Sequence, residues 1–211
     1  MQRRQPVFLG SRRRRNTRNE GLCSDKHEKE SEQKMTYTYK YKSPLGDMTM
    51  SSDGENLTGL WFDDQKHFAV NSQGDREEKL LPVFETTIRW LDIYYDGAEP
   101  DFMLPIKMVS TPFRHIVWEI LKTIPYGETM TYGEIAKIAA EKCGKKTMSA
   151  QAVGGAVGHN FISIIVPCHR VVGTDGSLTG YAGGIDKKIR LLNIEKADMS
   201  KLYVPKKGTA L

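Results

Sequence analysis

The stretch Pro167-Cys168-His169-Arg170 sets a thiol, an imidazole and a guanidinium in consecutive positions, after the apolar run Phe161-Ile162-Ser163-Ile164-Ile165-Val166. A lone cysteine beside apolar residues is most often inert core. The company of Cys168 argues for chemistry instead. A free thiol with a pKa of about 8.5 is only a few per cent thiolate at neutral pH. An adjacent imidazole that takes the proton, itself oriented by a carboxylate, turns it into a nucleophile. The apolar run reads as a strand stopped by Pro167, which places Cys168 at a strand end. Successive side chains on an extended segment point opposite ways. Cys168 and His169 therefore need a turn, or a bridging water, to communicate. The carboxylate must come from elsewhere. Glu195, near the end of the helical stripe Ile185, Ile189 and Leu192, is the candidate.

Two neighbouring segments could frame such a site. Gly173 to Gly184 holds five glycines in twelve residues. It reads as a mobile loop with exposed backbone N–H groups, able to close over a flat ligand with Tyr181 as a wall, or as a plain connector. Upstream, Gln151-Ala152-Val153-Gly154-Gly155-Ala156-Val157 reads as a helix with almost no bulk on its surface. Each glycine inside a helix costs about 1 kcal/mol relative to alanine. Close approach to something large and flat, such as a duplex groove, would justify that cost. Tight helix–helix packing would too.

The elements that must hold these segments follow from periodicity. Tyr37, Tyr39 and Tyr41 alternate with Thr38, Lys40 and Lys42 as in a half-buried strand over 36–42. Met48 to Ser52 and Leu57 to Phe62 flank Asp53-Gly54 as a hairpin. Pro82 opens a helix whose stripe is Phe84, Ile88, Leu91 and Tyr95, and Phe102 to Ile106 adds a strand. The aromatic residues of this first half read as core, with no catalytic cluster. In the second half, Thr111-Pro112 starts a helix with its stripe running from Phe113 to Ile124, up to Pro125. Thr131-x-x-Glu134 is a capping box for a short helix ending near Gly144, and Ser149 to Val157 follows as a second. That pair has the outline of a helix-turn-helix.

Composition narrows the class. The 211 residues suffice for one ordinary domain or two small ones, and no apolar run approaches the roughly 20 residues needed to span a bilayer. The start of the chain lacks the apolar region of a secretory signal. Three cysteines, Cys23, Cys143 and Cys168, make no disulfide framework and fit a reducing compartment. Cys23 and His27 have a possible metal spacing, but two ligands do not make a zinc site. Residues 35–107 carry seven Lys/Arg against thirteen Asp/Glu, whereas 108–211 carry fourteen against eight. A basic second half suits a polyanionic partner, although basic stretches are often only solvated. Residues 1–34, with Arg12 to Arg15 in a row, read as a disordered basic tail.

Pro167-Cys168-His169-Arg170, with Asn160 eight residues upstream and Tyr181-Ala182-Gly183-Gly184 downstream, resembles the O6-alkylguanine-DNA alkyltransferases (methylated-DNA–protein-cysteine methyltransferases). The likeness covers 108–200 closely, 35–107 more loosely, and not 1–34. It implies an α+β chain: a ribonuclease-H-like α/β domain over 35–107, then a mostly helical, winged-helix-like catalytic domain with a helix-turn-helix over 108–205. It implies single-turnover DNA repair, in which an alkyl group leaves O6-alkylguanine, with O4-alkylthymine as a further candidate substrate, for Cys168 after the nucleotide is flipped out. His169 would deprotonate Cys168 through a water, Glu195 would orient His169, and Asn160 would support the turn. Tyr132 would protonate guanine N3. Tyr181, Ala182, Gly183 and Val171 would line the pocket. Ser149, Ala150, Gln151, Ala152, Gly154 and Arg170 would meet DNA, with the helix in the minor groove. No metal or organic cofactor is needed, the partner is double-stranded DNA carrying the lesion, no membrane is involved, and the protein would act as a monomer in the cytoplasm, or the nucleus of a eukaryote. A lesion-binding relative without transfer is the alternative. Where the family often has an arginine that fills the gap left by the extruded base, this chain has Gln151.

Overall fold

The computed structural model describes residues 35–66 and 75–206. The Arg12–Arg15 run and the Cys23/His27 pair lie outside the described residues.

Strands β1 (Thr36–Ser43), β2 (Gly46–Ser52), β3 (Leu57–Phe62) and β4 (Arg76–Glu78) form a sheet in the order β3-β2-β1-β4. The first three are antiparallel neighbours, and β4 runs parallel to β1. Gly46 and Gly54 sit at positive φ in the two hairpin turns, a conformation that excludes most side chains. Helix α1 (Pro82–Tyr95) buries Val83, Phe84, Thr87, Leu91 and Tyr94. Its inward face is therefore turned from the expected stripe, and Tyr94 rather than Tyr95 points to the centre. The expected strand over 102–106 is only a bridge between Ile106 and Leu57. Pro105 lacks the N–H that a longer ladder would need.

The second lobe holds α2 (Pro112–Leu121), β5 (Met130–Thr131), α3 (Tyr132–Lys142), α4 (Ala150–Gly158), β6 (Val171–Val172) and α5 (Ile185–Ile194). Thr111 caps α2, Thr131 and Glu134 form the full capping box of α3, and Ser149 Oγ accepts from Ala152 N to cap α4. The first helix stops at Leu121, earlier than its stripe, because Pro125 drives the preceding chain out of helical geometry; Ile124 stays buried in the closing turn. The helix-turn-helix pair α3 and α4 packs with α2, and Trp118 Nε1 donates to Ala156 O at 2.9 Å.

One apolar cluster spans both lobes, from Trp61, Phe62 and Phe84 to Trp118, Val157 and Ile162, so the described residues make one compact unit. No helix among them is long and apolar enough to cross a membrane.

Candidate active site

The segment before Cys168 is not the expected strand. Only Ile162 bridges to Leu60, and the chain then turns, with Ile164 at φ 71°. Positive φ is rare for a β-branched residue and needs outside support. Asn160 supplies it. Its Oδ1 accepts from Ile162 N at 3.0 Å, and its Nδ2 donates to Val166 O at 2.8 Å. The same Nδ2 lies 3.0 Å from Cys168 Sγ. Cys168, His169 and Arg170 form a short 3-10 turn, so neighbouring side chains are no longer forced to opposite sides.

Cys168 is 4% exposed. Burial pushes its thiol above the ordinary value, while the Asn160 hydrogen bond and the Lys188 charge pull it back. The resting sulfur is thus a thiol, and it ionises only if a base takes its proton. His169 fits that task. It is fully buried, and desolvation lowers its pKa against the opposing pull of Glu195, so it rests neutral. Its Nε2 lies 2.6 Å from Glu195 Oε1, which leaves Nδ1 as the basic atom. Nδ1 is buried with no protein partner.

Glu195 caps the C-terminus of α5 and gathers donors from four directions. Arg170 Nε reaches Oε2 at 2.8 Å and Arg170 Nη2 reaches Oε1 at 3.0 Å. Gly127 N donates to Oε2 at 3.1 Å, and Tyr94 Oη donates to Oε1 at 2.7 Å. Burial alone would raise this carboxyl, but the bonds and charges of His169 and Arg170 outweigh it and bring the pKa to about 2. Gly127 is at positive φ, and a Cβ there would lie 2.7 Å from Glu195 O. Only glycine lets this backbone approach the main chain of Glu195.

Arg170 does not take the DNA-facing place that the resemblance implies. It is 9% exposed and spends its guanidinium on Glu195 and Ile124 O, so it holds the acid rather than a phosphate. The remaining expected contact residues are placed on one open face. Ser149, Ala150, Gln151 and Ala152 are exposed and Gly154 is half-buried, while Val153, Ala156 and Val157 are buried. The packing reading of the small-residue helix holds for its inner face, and its outer face is open. Ala150, Gln151, Gly154 and Gly155 line a cleft of about 630 Å³ with Tyr132, Thr174, Thr179 and Gly180.

Tyr132 Oη donates towards Gly180 O at 3.2 Å. Burial first, and then the nearby Cys168, raise its pKa, so it keeps its proton. Tyr181 is buried edge-on to His169, with centroids 6.4 Å apart. Ala182 O accepts from Lys66 N at 3.1 Å, and Gly183 packs against Tyr181 and Phe62. Val171 is buried in β6, and its carbonyl accepts from Lys188 Nζ at 2.5 Å. The glycine-rich loop is tied down rather than free: Leu178 N donates to Tyr203 O, and Tyr203 N to Gly176 O.

Sequence reasoning missed Tyr94, Lys188 and Gln65. Tyr94 was hidden among core aromatics. Lys188 sits fully buried with Nζ on Val171 O and Thr179 O, and burial lowers its pKa to about 8. Its place between the inward-facing Ile185 and Leu192 was the available signal. Gln65 Oε1 accepts from Ser163 Oγ at 3.0 Å, a contact across the lobes that no local pattern encodes.

Residues 112–197 match the family described as 6-O-methylguanine DNA methyltransferase, DNA binding domain, and residues 35–108 match its ribonuclease-like domain. The chain is 41% identical over 162 residues to the methylated-DNA–protein-cysteine methyltransferase of Haemophilus influenzae, covering 76% of this chain and 86% of the relative. It is 43% identical over 141 residues to the inducible enzyme of that name from Bacillus subtilis, covering 67% and 74%. Among solved structures, Mycobacterium tuberculosis OGT in complex with DNA superposes with a TM-score of 0.64 at 38% identity, covering 79% of this chain and 94% of the other.

Proposed function

The chain belongs to the 6-O-methylguanine DNA methyltransferase family, and from that premise we propose that Cys168 is its alkyl acceptor. The activity is direct DNA repair: an alkyl group leaves O6-alkylguanine in DNA and joins a protein cysteine. The observation that carries the assignment is Cys168, hydrogen-bonded by Asn160 on the same turn as a neutral, buried His169 backed by an ionised Glu195.

His169 Nδ1 takes the thiol proton, through a bridging water. Sulfur attacks the alkyl carbon, the S–C bond forms and the C–O6 bond breaks in line, and the electron pair leaves with the guanine. Tyr132 gives a proton to guanine N3, the proton held by His169 passes through solvent to restore the Tyr132 phenol, and solvent exchange moves the guanine proton from N3 to N1. The products are unmodified guanine and a thioether, which does not revert, so each molecule acts once. Glu195 stays charged and stabilises the imidazolium rather than receiving its proton.

Binding follows from the open face. The exposed small side chains of α4 allow the backbone close to a minor groove, and the cleft beside Gln151 and Tyr132 receives the swung-out base at a cost of a few kcal/mol. Tyr181, Ala182, Gly183 and Val171 shape the far wall, with a backbone N–H near Ala182 directed at O6. The protein works as a monomer on duplex DNA, in the cytoplasm or the nucleus of a eukaryote. Cys168→Ser tests the assignment: the variant should bind a methylated duplex as the parent does and take up no methyl. Stoichiometric uptake by that variant refutes it.

A further inference from the structure

We propose that Tyr94, which the first lobe contributes, is a positioning residue of the proton relay: its oxygen supports the imidazolium of His169 at the moment the thiol is deprotonated. The inference rests on Cys168 being the alkyl acceptor.

The geometry fixes the direction of each hydrogen. An ionised Glu195 can only accept, so the bond of 2.7 Å uses the single O–H of Tyr94. The lone pairs of the phenol oxygen are then left for His169 Nε2, 3.3 Å away. Nε2 faces two acceptors, Glu195 Oε1 and Tyr94 Oη, and must carry a hydrogen. When Nδ1 gains the thiol proton the ring becomes cationic, and both of its Nε2–H contacts strengthen. Tyr94 is rigid enough for this. It is fully buried, stacked on Trp90 at 5.6 Å and held edge-on by Tyr126 at 6.0 Å. Burial and the Glu195 charge keep it protonated throughout the physiological range.

The groups that face His169 are Glu195 and Lys188 from α5, Arg170 and Cys168 from its own turn, Tyr181 from the glycine-rich loop, and Tyr94 from α1 with Tyr126 behind it. Lys188, whose pKa is about 8, titrates in the working range. It does so in parent and variant alike and cancels from their ratio.

Tyr94→Phe keeps the ring and deletes only the oxygen. The test is the single-turnover rate of methyl transfer from a duplex oligonucleotide containing O6-methylguanine, from about pH 6.5 to about pH 9.5, for parent and variant. Near neutrality the variant should be about tenfold slower, equal to a loss of about one pKa unit in the base. The gap should narrow towards the top of this range, because hydroxide then competes with His169 as the base that takes the thiol proton. Duplex binding by Cys168→Ser with and without Tyr94→Phe should be equal. A rate deficit of the same factor at every pH would mark a merely structural role and overturn the inference, as would no deficit at all. Should Tyr94→Phe fail to fold, a ring-fluorinated tyrosine placed at 94 retains shape and O–H but weakens the lone pair. It must then give the same pH-dependent deficit, smaller in size, and a flat ratio overturns the inference. If the parent protein itself takes up no methyl at Cys168, the functional reading fails instead.

Discussion

Asn160 Nδ2 lies 3.0 Å from Cys168 Sγ while the same amide closes the turn through Val166 O and Ile162 N. One side chain thus sets where the sulfur is and how readily it ionises. Asn160→Asp has nearly the same shape but replaces a donor with a negative charge. Its thiol should need about two more pH units to react with iodoacetamide, and methyl transfer near neutrality should fall roughly a hundredfold. A reactivity curve superimposed on that of the parent would show that the amide only shapes the turn.

Glu195→Gln should cost both activity and stability. It leaves Arg170 buried without its countercharge, a change worth about 3–5 kcal/mol, readable as a lowered urea midpoint. The acid limb gives a second check. Glu195 titrates at about 2 in the folded chain against an ordinary 4.5, so the unfolded chain binds more protons between those values. Its contribution is present above pH 4.5 and is lost as the pH falls towards 2. The glutamine variant should lack that part of the slope, and an unchanged slope would remove Glu195 from the buried ion pair.

Gln151 is exposed at the start of α4, beside the cleft that holds Tyr132. An amide there can hydrogen-bond an orphaned base but brings no charge to the duplex. Gln151→Arg should capture the lesion from duplex DNA faster under single-turnover conditions. Equal rates would mean that this position does not fill the gap.

Duplex affinity should weaken as salt rises through counterion release, by at least tenfold between about 50 and 200 mM if a few phosphates are contacted. Arg170 cannot be among those contacts, since its guanidinium is committed to Glu195 and Ile124. A flat salt profile would mean that the basic second lobe neutralises few or no phosphates.

The parts of the site legible in the sequence were those encoded locally. Thr131 and Glu134 cap α3 as their spacing requires, Ser149 caps α4, and Glu195 arrives at the end of the stripe that was read for α5. Long-range partners left no such trace. Tyr94 looked like one more core aromatic, and its hydroxyl meets Glu195 across 101 positions of chain. Arg170 looked like a phosphate ligand because a charge beside a cysteine is ambiguous until its burial is known. The run from Phe161 to Val166 had the composition of a strand, and only the amide of Asn160 and the strained Ile164 show why it turns.

Intact mass after mixing with an oligonucleotide containing O6-methylguanine tests the account most directly. The protein should gain the mass of one methylene once per molecule, on the peptide bearing Cys168, with no further repair when fresh substrate is added. Repeated repair without a mass gain, or binding that leaves both lesion and thiol unchanged, would contradict it.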